Sequence, residues 1–359
     1  MSVGISNTDL IDLQRTTLQN LPDLEFEVAL ENQAYEVTNR WFKKDKKQVE
    51  SGTSIQRNIM LDKTGNAKHV RLYQKTPINV ADAQYLLSAP WVQVQTHYSI
   101  ERREALRNRA PARYIDLLRS RRVDATVDLA NLLELRAWLT PNNQNDDLNP
   151  RGVPYWINKA PTGVSQVGAF NGITIRFGDG STSTVKAGLD GNASTSTKWR
   201  NWAFTYDAVN SDFVKRMRRA FHATKFQSPK SAKDIDRDED QDFRIYMPLD
   251  PLTEFEDLVT KQNDNLGSDA DKYHGTTRFR GCPIIYENQL DSDVDAPVVA
   301  LNHKKFVPFI LEGDWMRESD PMMDVEQHNV MTTYIDGSYQ FMCLNVREGG
   351  FIGHKITAT

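Results

Sequence analysis

Three stretches of the 359-residue sequence carry residue types that can do chemistry. Asp62-Lys63-Thr64-Gly65 has the residues of the aspartate motif that ion-pumping ATPases phosphorylate. Those pumps need transmembrane helices and a further Thr, whereas here Asn66 follows and Thr64-Gly65-Asn66 reads as a turn. From Asp234, the residues Asp236, Asp238, Glu239 and Asp240 offer alternating carboxylates, the hard oxygen ligands that calcium takes. Their spacing fails, because Glu239 stands where an EF-hand loop needs glycine and Ile245 where the bidentate Glu belongs. The stretch is read as a solvated acidic loop. Lys215, Arg216, Arg218 and Arg219 fall in a helix expected from about Asp207 to Lys225. Such a cluster suits an anion or nucleic acid, or else a solvated face with intersubunit ion pairs, and a net charge of -4 favours the second.

Other reaction signatures are missing. There is no P-loop, no Gly-x-Ser-x-Gly elbow, no HExxH and no dinucleotide fingerprint. His69, His97, His222, His274, His303, His328 and His354 never stand at ligand spacing. Cys282 and Cys343 form no CxxC, so free thiols in a reducing compartment are expected. No catalytic, cofactor-binding or metal-binding residue is assigned, and the chain is read as a non-enzyme without a cofactor.

The elements that would have to position any site are unusual. The length exceeds what one core supports, so two or three lobes are expected. Composition is polar, with 39% hydrophobic and 26% charged residues and a mean hydropathy of -0.59. The acidic balance argues against tight nucleic-acid binding. No apolar run spans a bilayer, and no signal pattern opens the chain, which is expected to stay where it is made.

The stretch Ser99 to Leu139 organises the rest. Pro111 sits where a first helical turn accepts it, and no Gly or Pro follows until Pro141. Ile115, Leu118, Ala125, Leu129, Leu132, Leu133 and Leu139 fall on one side, with Asp116, Ser120, Asp124, Asn131 and Glu134 opposite. From Ala112 to Leu139 the helix is about 42 Å long at 1.5 Å rise per residue. Arg122 and Arg136 interrupt the apolar arc, which points to contacts beyond a simple core.

Before it, residues 1–47 form an arm with too little apolar surface for a core of its own. Ile55, Ile59 and Leu61 alternate with polar residues, the chain turns at Thr64-Gly65-Asn66, and Val70 and Leu72 return, which predicts a projecting hairpin. Trp91 to His97 is a further strand running into a helix start at Ser99. A thin ribbon is marginal alone, so it is expected to pack on another subunit. After the helix, Asn142 to Pro150 is a polar linker, and Gly152 to Thr197 an irregular, loop-rich insertion. Strands are expected at Phe243–Met247, Cys282–Tyr286, Val298–Leu301 and Val307–Leu311, with a helix at Pro251–Gln262. Val330–Ile335 and Tyr339–Val346 read as a hairpin around Asp336-Gly337. With no long helix after them, the last strands are expected to return to the long helix.

The order of arm, strand pair, Trp91 to Tyr98, Ile100-Glu-Arg-Arg-Glu104, Arg109-Ala-Pro-Ala-Arg113 and long helix resembles tailed-bacteriophage major capsid proteins of the Hong Kong 97-type fold. Gly152-Val-Pro-Tyr-Trp156, Phe243-Arg-Ile-Tyr-Met247, Gln262-Asn263 with Asn265-Leu-Gly267, Arg317-Glu-Ser-Asp-Pro321 and Gln327-His-Asn-Val330 are similar to later stretches of that group. Each is short; their shared order carries the resemblance, from about Thr53 to Val346.

The resemblance implies an α+β Hong Kong 97-type capsid fold: an N-terminal arm at 1–47, an E-loop at 48–98, a P-domain with the spine helix at 99–150, an A-domain at 151–297, and a return to the P-domain at 298–359. It implies a major capsid protein that self-assembles as hexamers and pentamers into the icosahedral head around a double-stranded DNA genome. That head is assembled in the bacterial host cytoplasm and localised to the virion capsid. Implied partners are copies of itself, portal, scaffold or decoration proteins, and packaged DNA by weak contact, with no membrane. An encapsulin-type nanocompartment shell is the alternative. Lys63, Thr64, Gly65, Asn66 and Lys68 at the loop tip, with Arg122 and Arg136 on the helix, are the intersubunit candidates. Some relatives carry a cleaved N-terminal scaffolding segment; the stretch before Gly52 is too short for one, so a separate scaffold or none is expected. Others form Lys to Asn cross-links, but no acceptor Asn or catalytic Glu matches Lys63 or Lys68, and none is expected.

Overall fold

A computed structural model describes residues 35–61, 66–75, 84–107, 111–161, 167–225, 241–262, 277–323, 327 and 329–355, with the side chains of 105–107, 111–116 and 259–262 outside the description. In chain order the elements are α1 (Val37–Asp45, of π type), β1 (Lys47–Val49), β2 (Ser54–Met60), β3 (Gln84–Pro90), β4 (Val92–Glu101), α2 (Arg102–Arg107), α3 (Pro111–Ala137) and α4 (Val153–Trp156). Then come β5 (Ala169–Gly172), β6 (Ile175–Arg176), β7 (Thr182–Ser183), β8 (Val185–Lys186), β9 (Leu189–Asp190), β10 (Asn201–Tyr206), α5 (Ser211–Thr224), β11 (Phe243–Met247) and α6 (Leu249–Gln262). The chain ends with β12 (Arg278–Phe279), β13 (Cys282–Tyr286), β14 (Val298–Asn302), β15 (Phe306–Glu318), β16 (Met322–Met323), β17 (Val330–Cys343), α7 (Val346–Gly349) and β18 (Gly350–Lys355).

Two sheets carry the molecule. A five-stranded sheet runs β1-β15-β17-β16, with β4 also on β17, and a seven-stranded sheet runs β12-β13-β11-β14-β18-β10-β5. The spine helix α3 lies against β4 and α1, burying Leu118, Ala125, Leu129, Leu133 and Ala137. The amphipathic α5 buries Phe213, Met217, Ala220 and Phe221 over the other sheet. Asn210 caps it, its Oδ1 accepting from the Asp212 and Phe213 amides.

Several expectations are corrected. The helix does not start at Ser99: β4 continues through Ser99 to Glu101 because Val330–Tyr339 of β17 pairs along its whole length. Helix α3 stops at Ala137, leaving Leu139 past its end, and Leu132 and Leu139 are exposed rather than buried. Glu134, expected on the solvent side, is fully buried. The reason is α1: Tyr35 donates to Asn131 Oδ1 at 2.7 Å and the Val37 amide to Glu134, so the polar face of the spine is roofed by the arm. Val37, Trp41 and Phe42 are correspondingly core residues, and the end of the arm is a wedge rather than a strap.

The ribbon pairs differently too. Strand β2 takes β3, from Ser54 opposite Pro90 to Met60 opposite Gln84, and not the Val70–Leu72 stretch. Ile55, Leu87 and Ala89 share the buried face. The base of the ribbon is tied to its own chain, with the Ser88 amide on Ala187 O and Arg151 on Ser88 O. Asp336-Gly337 is no hairpin, since β17 is continuous from Val330 to Cys343. Finally, the segment 298–359 divides. Strands β15 and β17 join β4 under the spine, while β14 and β18 belong to the seven-stranded sheet with β10 and β11. Neither Cys282 nor Cys343 is in a disulfide.

Candidate functional site

The densest arrangement of polar and aromatic groups is where α1 enters between the sheets. Trp41 sits among Trp138, Tyr246, His303, Phe306 and Phe341, with ring centroids 5.4 to 6.0 Å away. Its indole N–H donates to the Tyr246 hydroxyl at 3.1 Å, and that oxygen lies 2.9 Å from His303 Nε2. Around them Arg40 pairs with Asp45 and Asp242, and Arg244 pairs with Glu36. Asp45 also approaches His303 Nδ1 at 3.5 Å. Burial and the Arg40 and Arg244 charges outweigh that carboxylate and push the imidazole down to about 3, so the ring is neutral. Burial likewise holds the Tyr246 phenol well above its usual range. His303 and Tyr246 are both buried, and their contact joins β11 to the turn after β14.

Other buried polar groups do similar work. Lys186 is fully buried and donates to Trp156 O, Gly172 O and Asn201 Oδ1 at 3.1 to 3.3 Å, and desolvation pushes its amine down to about 7. Lys305 pairs with the buried Glu348 at 2.9 Å. Lys186 falls in the stretch read as loop-rich, and Lys305 between two expected strands, so no local signal marks them. A cavity of about 550 Å³ lies off the end of α3, walled by Trp138, Val153, Ile157, Leu290, Val299 and Ile352. At its rim Lys159 is held by Asp293 and Asp295 at 2.7 Å. Among the described residues no group of three or more His, Cys, Asp or Glu side chains is placed to hold a metal. No described helix is long and apolar enough to cross a membrane.

The intersubunit candidates are distributed as follows. Lys63, Thr64 and Gly65 lie outside the described residues, as does the acidic loop 234–240. Asn66 and Lys68 are exposed, on a segment whose Val70, Leu72 and Tyr73 are 57%, 85% and 97% exposed. A turn holds that segment's end, with the Gln74 amide on Arg71 O and the Arg71 amide on Gln74 Oε1. On α3, Arg122 is engaged within the chain, 3.2 Å from Glu318, whose other oxygen accepts from Tyr98. Arg136 is half-buried. Of the basic cluster on α5, Arg216 donates to Thr205 O and Lys215 pairs with Asp212, while Arg218 and Arg219 are exposed. Further exposed side chains are apolar: Leu72 and Tyr73 between β2 and β3, Leu132 and Leu135 on α3, and Leu139 just past its end. Large exposed side chains in such runs are the mark of an association surface. Leu132, Leu135 and Leu139 stand at three- and four-residue spacing, the signal by which they can be found.

No protein-family model matches the chain, and no curated protein sequence does. Solved structures do. The chain is similar to a capsid subunit of cyanophage A-1(L), with a TM-score of 0.61 at 11% identity over 94% of this chain and 97% of that one. It is also similar to a capsid subunit of the Myoviridae phage XM1, with a TM-score of 0.51 at 9% identity over 94% and 97% of the two chains. The fold is the Hong Kong 97-type capsid fold. Within that capsid fold, α+β in class, α3 is the long helix, and the match runs nearly end to end in both chains. At such identity the likeness lives in topology and core shape rather than in shared side chains.

Proposed function

We propose that this chain is the major capsid protein of a tailed bacteriophage, tiling as hexamers and pentamers into an icosahedral head around double-stranded DNA. The observation that supports it most is the near full-length match of a whole capsid fold, joined to an exposed ribbon segment ending in Leu72 and Tyr73. Two aromatic or aliphatic anchors on a thin extension are poor features for a lone subunit and good ones for a tile.

On this reading 1–47 is the arm, 48–98 the E-loop, 99–150 the P-domain and 151–297 the A-domain, with β14 and β18 grouped with the A-domain sheet. Lys63, Thr64, Gly65, Asn66 and Lys68 meet a neighbouring subunit, and Arg122 and Arg136 line the spine near that contact. Each contact is modest, and many per subunit add up through effective concentration to a stable lattice. Portal, scaffold or decoration proteins bind the assembled shell, and DNA touches its inner surface weakly, in keeping with the net charge of -4. The protein performs no reaction and holds no cofactor. Phage particles carrying this chain test the reading: it should dominate the shell by mass and protect double-stranded DNA from nuclease. Shells filled with protein cargo and no genome would favour the encapsulin alternative instead.

A further inference from the structure

The seven-stranded sheet carries α5 and α6 on one face, where Phe213, Met217 and Phe221 of α5 and Phe255 of α6 share an apolar cluster with β10, β11 and β14. The outer sides of the two helices are opposite in charge. On α5, Lys215, Arg218, Arg219 and His222 are all exposed and stand at three- and four-residue spacing, so they form one stripe. Strand β12 and the turn after it extend the stripe: Arg278 and Arg280 are exposed, and Arg280 lies 3.2 Å from His222. On α6, Asp250, Glu254, Glu256 and Asp257 are exposed, and no Lys or Arg stands between Leu249 and Leu258. Among the described residues the two surfaces are not paired with each other. Lys215 goes to Asp212 at 3.1 Å, Glu254 accepts from the Val209 amide at 3.1 Å, and Glu256 from Thr277 Oγ1 at 2.7 Å.

We propose that the basic stripe of α5 and β12 on one copy of this chain docks on the acidic side of α6 on the next copy, head to tail around a ring.

This inference rests on the capsid reading and names the surfaces that would join neighbours within a hexamer or pentamer. Two patches on one chain that complement each other, but not themselves, make a heterologous contact, and heterologous contacts close into rings when the rotation allows. A two-fold pairing of either patch with its own copy would instead set like charges against each other. Exposed ion pairs are individually weak and screened by salt, so the contact sets encounter rate and orientation more than holding strength. A second copy suits the stripe better than nucleic acid does. The Glu254 bond to Val209 ties α6 beside the start of α5, so a long polyanion laid on the stripe would run toward the α6 carboxylates, and the net charge of -4 acts in the same direction.

The test uses the purified full-length chain, with assembly followed by light scattering and negative-stain microscopy. Arg218→Glu with Arg219→Glu reverses the stripe, and Asp250→Lys with Asp257→Lys reverses the α6 side. Each variant alone should assemble at least about tenfold more slowly than wild type. Mixed in equal amounts they should associate again, because the reversed stripe of one meets the reversed α6 of the other. Two alternating kinds close only even-membered rings, so hexamers without pentamers are expected. Wild-type shells together with normal assembly of either variant alone, or with a mixture as inert as its parts, overturn the contact and leave the capsid reading standing. Wild-type chains that never associate overturn both. Variants that assemble normally but no longer retain DNA assign the stripe to nucleic acid and overturn the contact too. Were a variant not to fold by circular dichroism, carbodiimide coupling of wild-type shells assembled from mixed 14N- and 15N-labelled chains decides. Lys215 joined to α6 carboxylates in mixed-isotope peptide pairs is expected, and the absence of such pairs overturns the contact.

Discussion

Trp41 donates its indole N–H to the hydroxyl of Tyr246 at 3.1 Å, and both side chains are fully buried. The bond spans 205 residues and ties the first described helix to the middle of the seven-stranded sheet. Because Trp41 also packs on Trp138, Phe306 and Phe341, one side chain touches the spine and both sheets. The arm's last turns therefore determine how the two halves of the subunit meet.

Trp41→Phe removes the donor and part of the indole while keeping an aromatic ring, and should cost about 1 to 3 kcal/mol; Trp41→Ala should cost about 3 to 5. Urea denaturation of the two variants checks the order and size. A loss under about 0.5 kcal/mol for Trp41→Ala would mean the joint is not there.

Gly152 abuts the end of the spine. A β carbon at this position would stand 2.3 Å from Leu139 O, 2.5 Å from Ala137 O and 2.8 Å from Arg136 O, all backbone atoms that cannot swing away. Gly152→Ala should therefore destabilise by at least about 3 kcal/mol or prevent folding, well beyond an ordinary surface change. Thermal melting is the measurement.

Much of this architecture can be read from residues. Pro111 and Pro141 bracket the spine, and the strands at 243–247, 282–286 and 298–302 stand out by their apolar runs. What escapes is information held by distant partners. Glu134 looks like a solvent residue because helical periodicity knows nothing of an arm arriving from Val37. Asp336-Gly337 has the composition of a tight turn, yet Gly337 is there because a β carbon would come within 3.1 Å of the Trp315 ring on the neighbouring strand. The sequence pattern gives β2 the Val70–Leu72 stretch as its partner, whereas the structure pairs it with β3, where Leu87 and Ala89 are buried beside Ile55. Among the association candidates, the lysines and arginines were found by type. Leu72 falls in the predicted projecting hairpin as a strand residue, and Tyr73 beside it carries no local pattern that marks it.

His303 makes the subunit acid-sensitive. Its folded pKa is depressed from 6.5 to about 3, so it contributes stability that is present above pH 6.5 and lost as pH falls toward 3. The loss should approach about 1.4 kcal/mol per pH unit over that window. His303→Gln, which cannot take up the proton, should lose less between pH 6 and pH 4 than the wild type in parallel denaturant titrations. Identical slopes would show that the imidazole is not held neutral.

Leu72→Asp together with Tyr73→Asp places charges where the side chains are 85% and 97% exposed. Subunit stability should change by no more than about 0.5 kcal/mol, while assembly, read by light scattering, should fail. Unimpaired assembly would remove this segment from the contact.

On the proposed reading this polypeptide completes its burial only among copies of itself. Negative-stain electron microscopy of the purified full-length chain tests it most directly. Closed, uniform shells with hexamer and pentamer clusters are expected; a field of separate single subunits at every concentration and salt condition would contradict it.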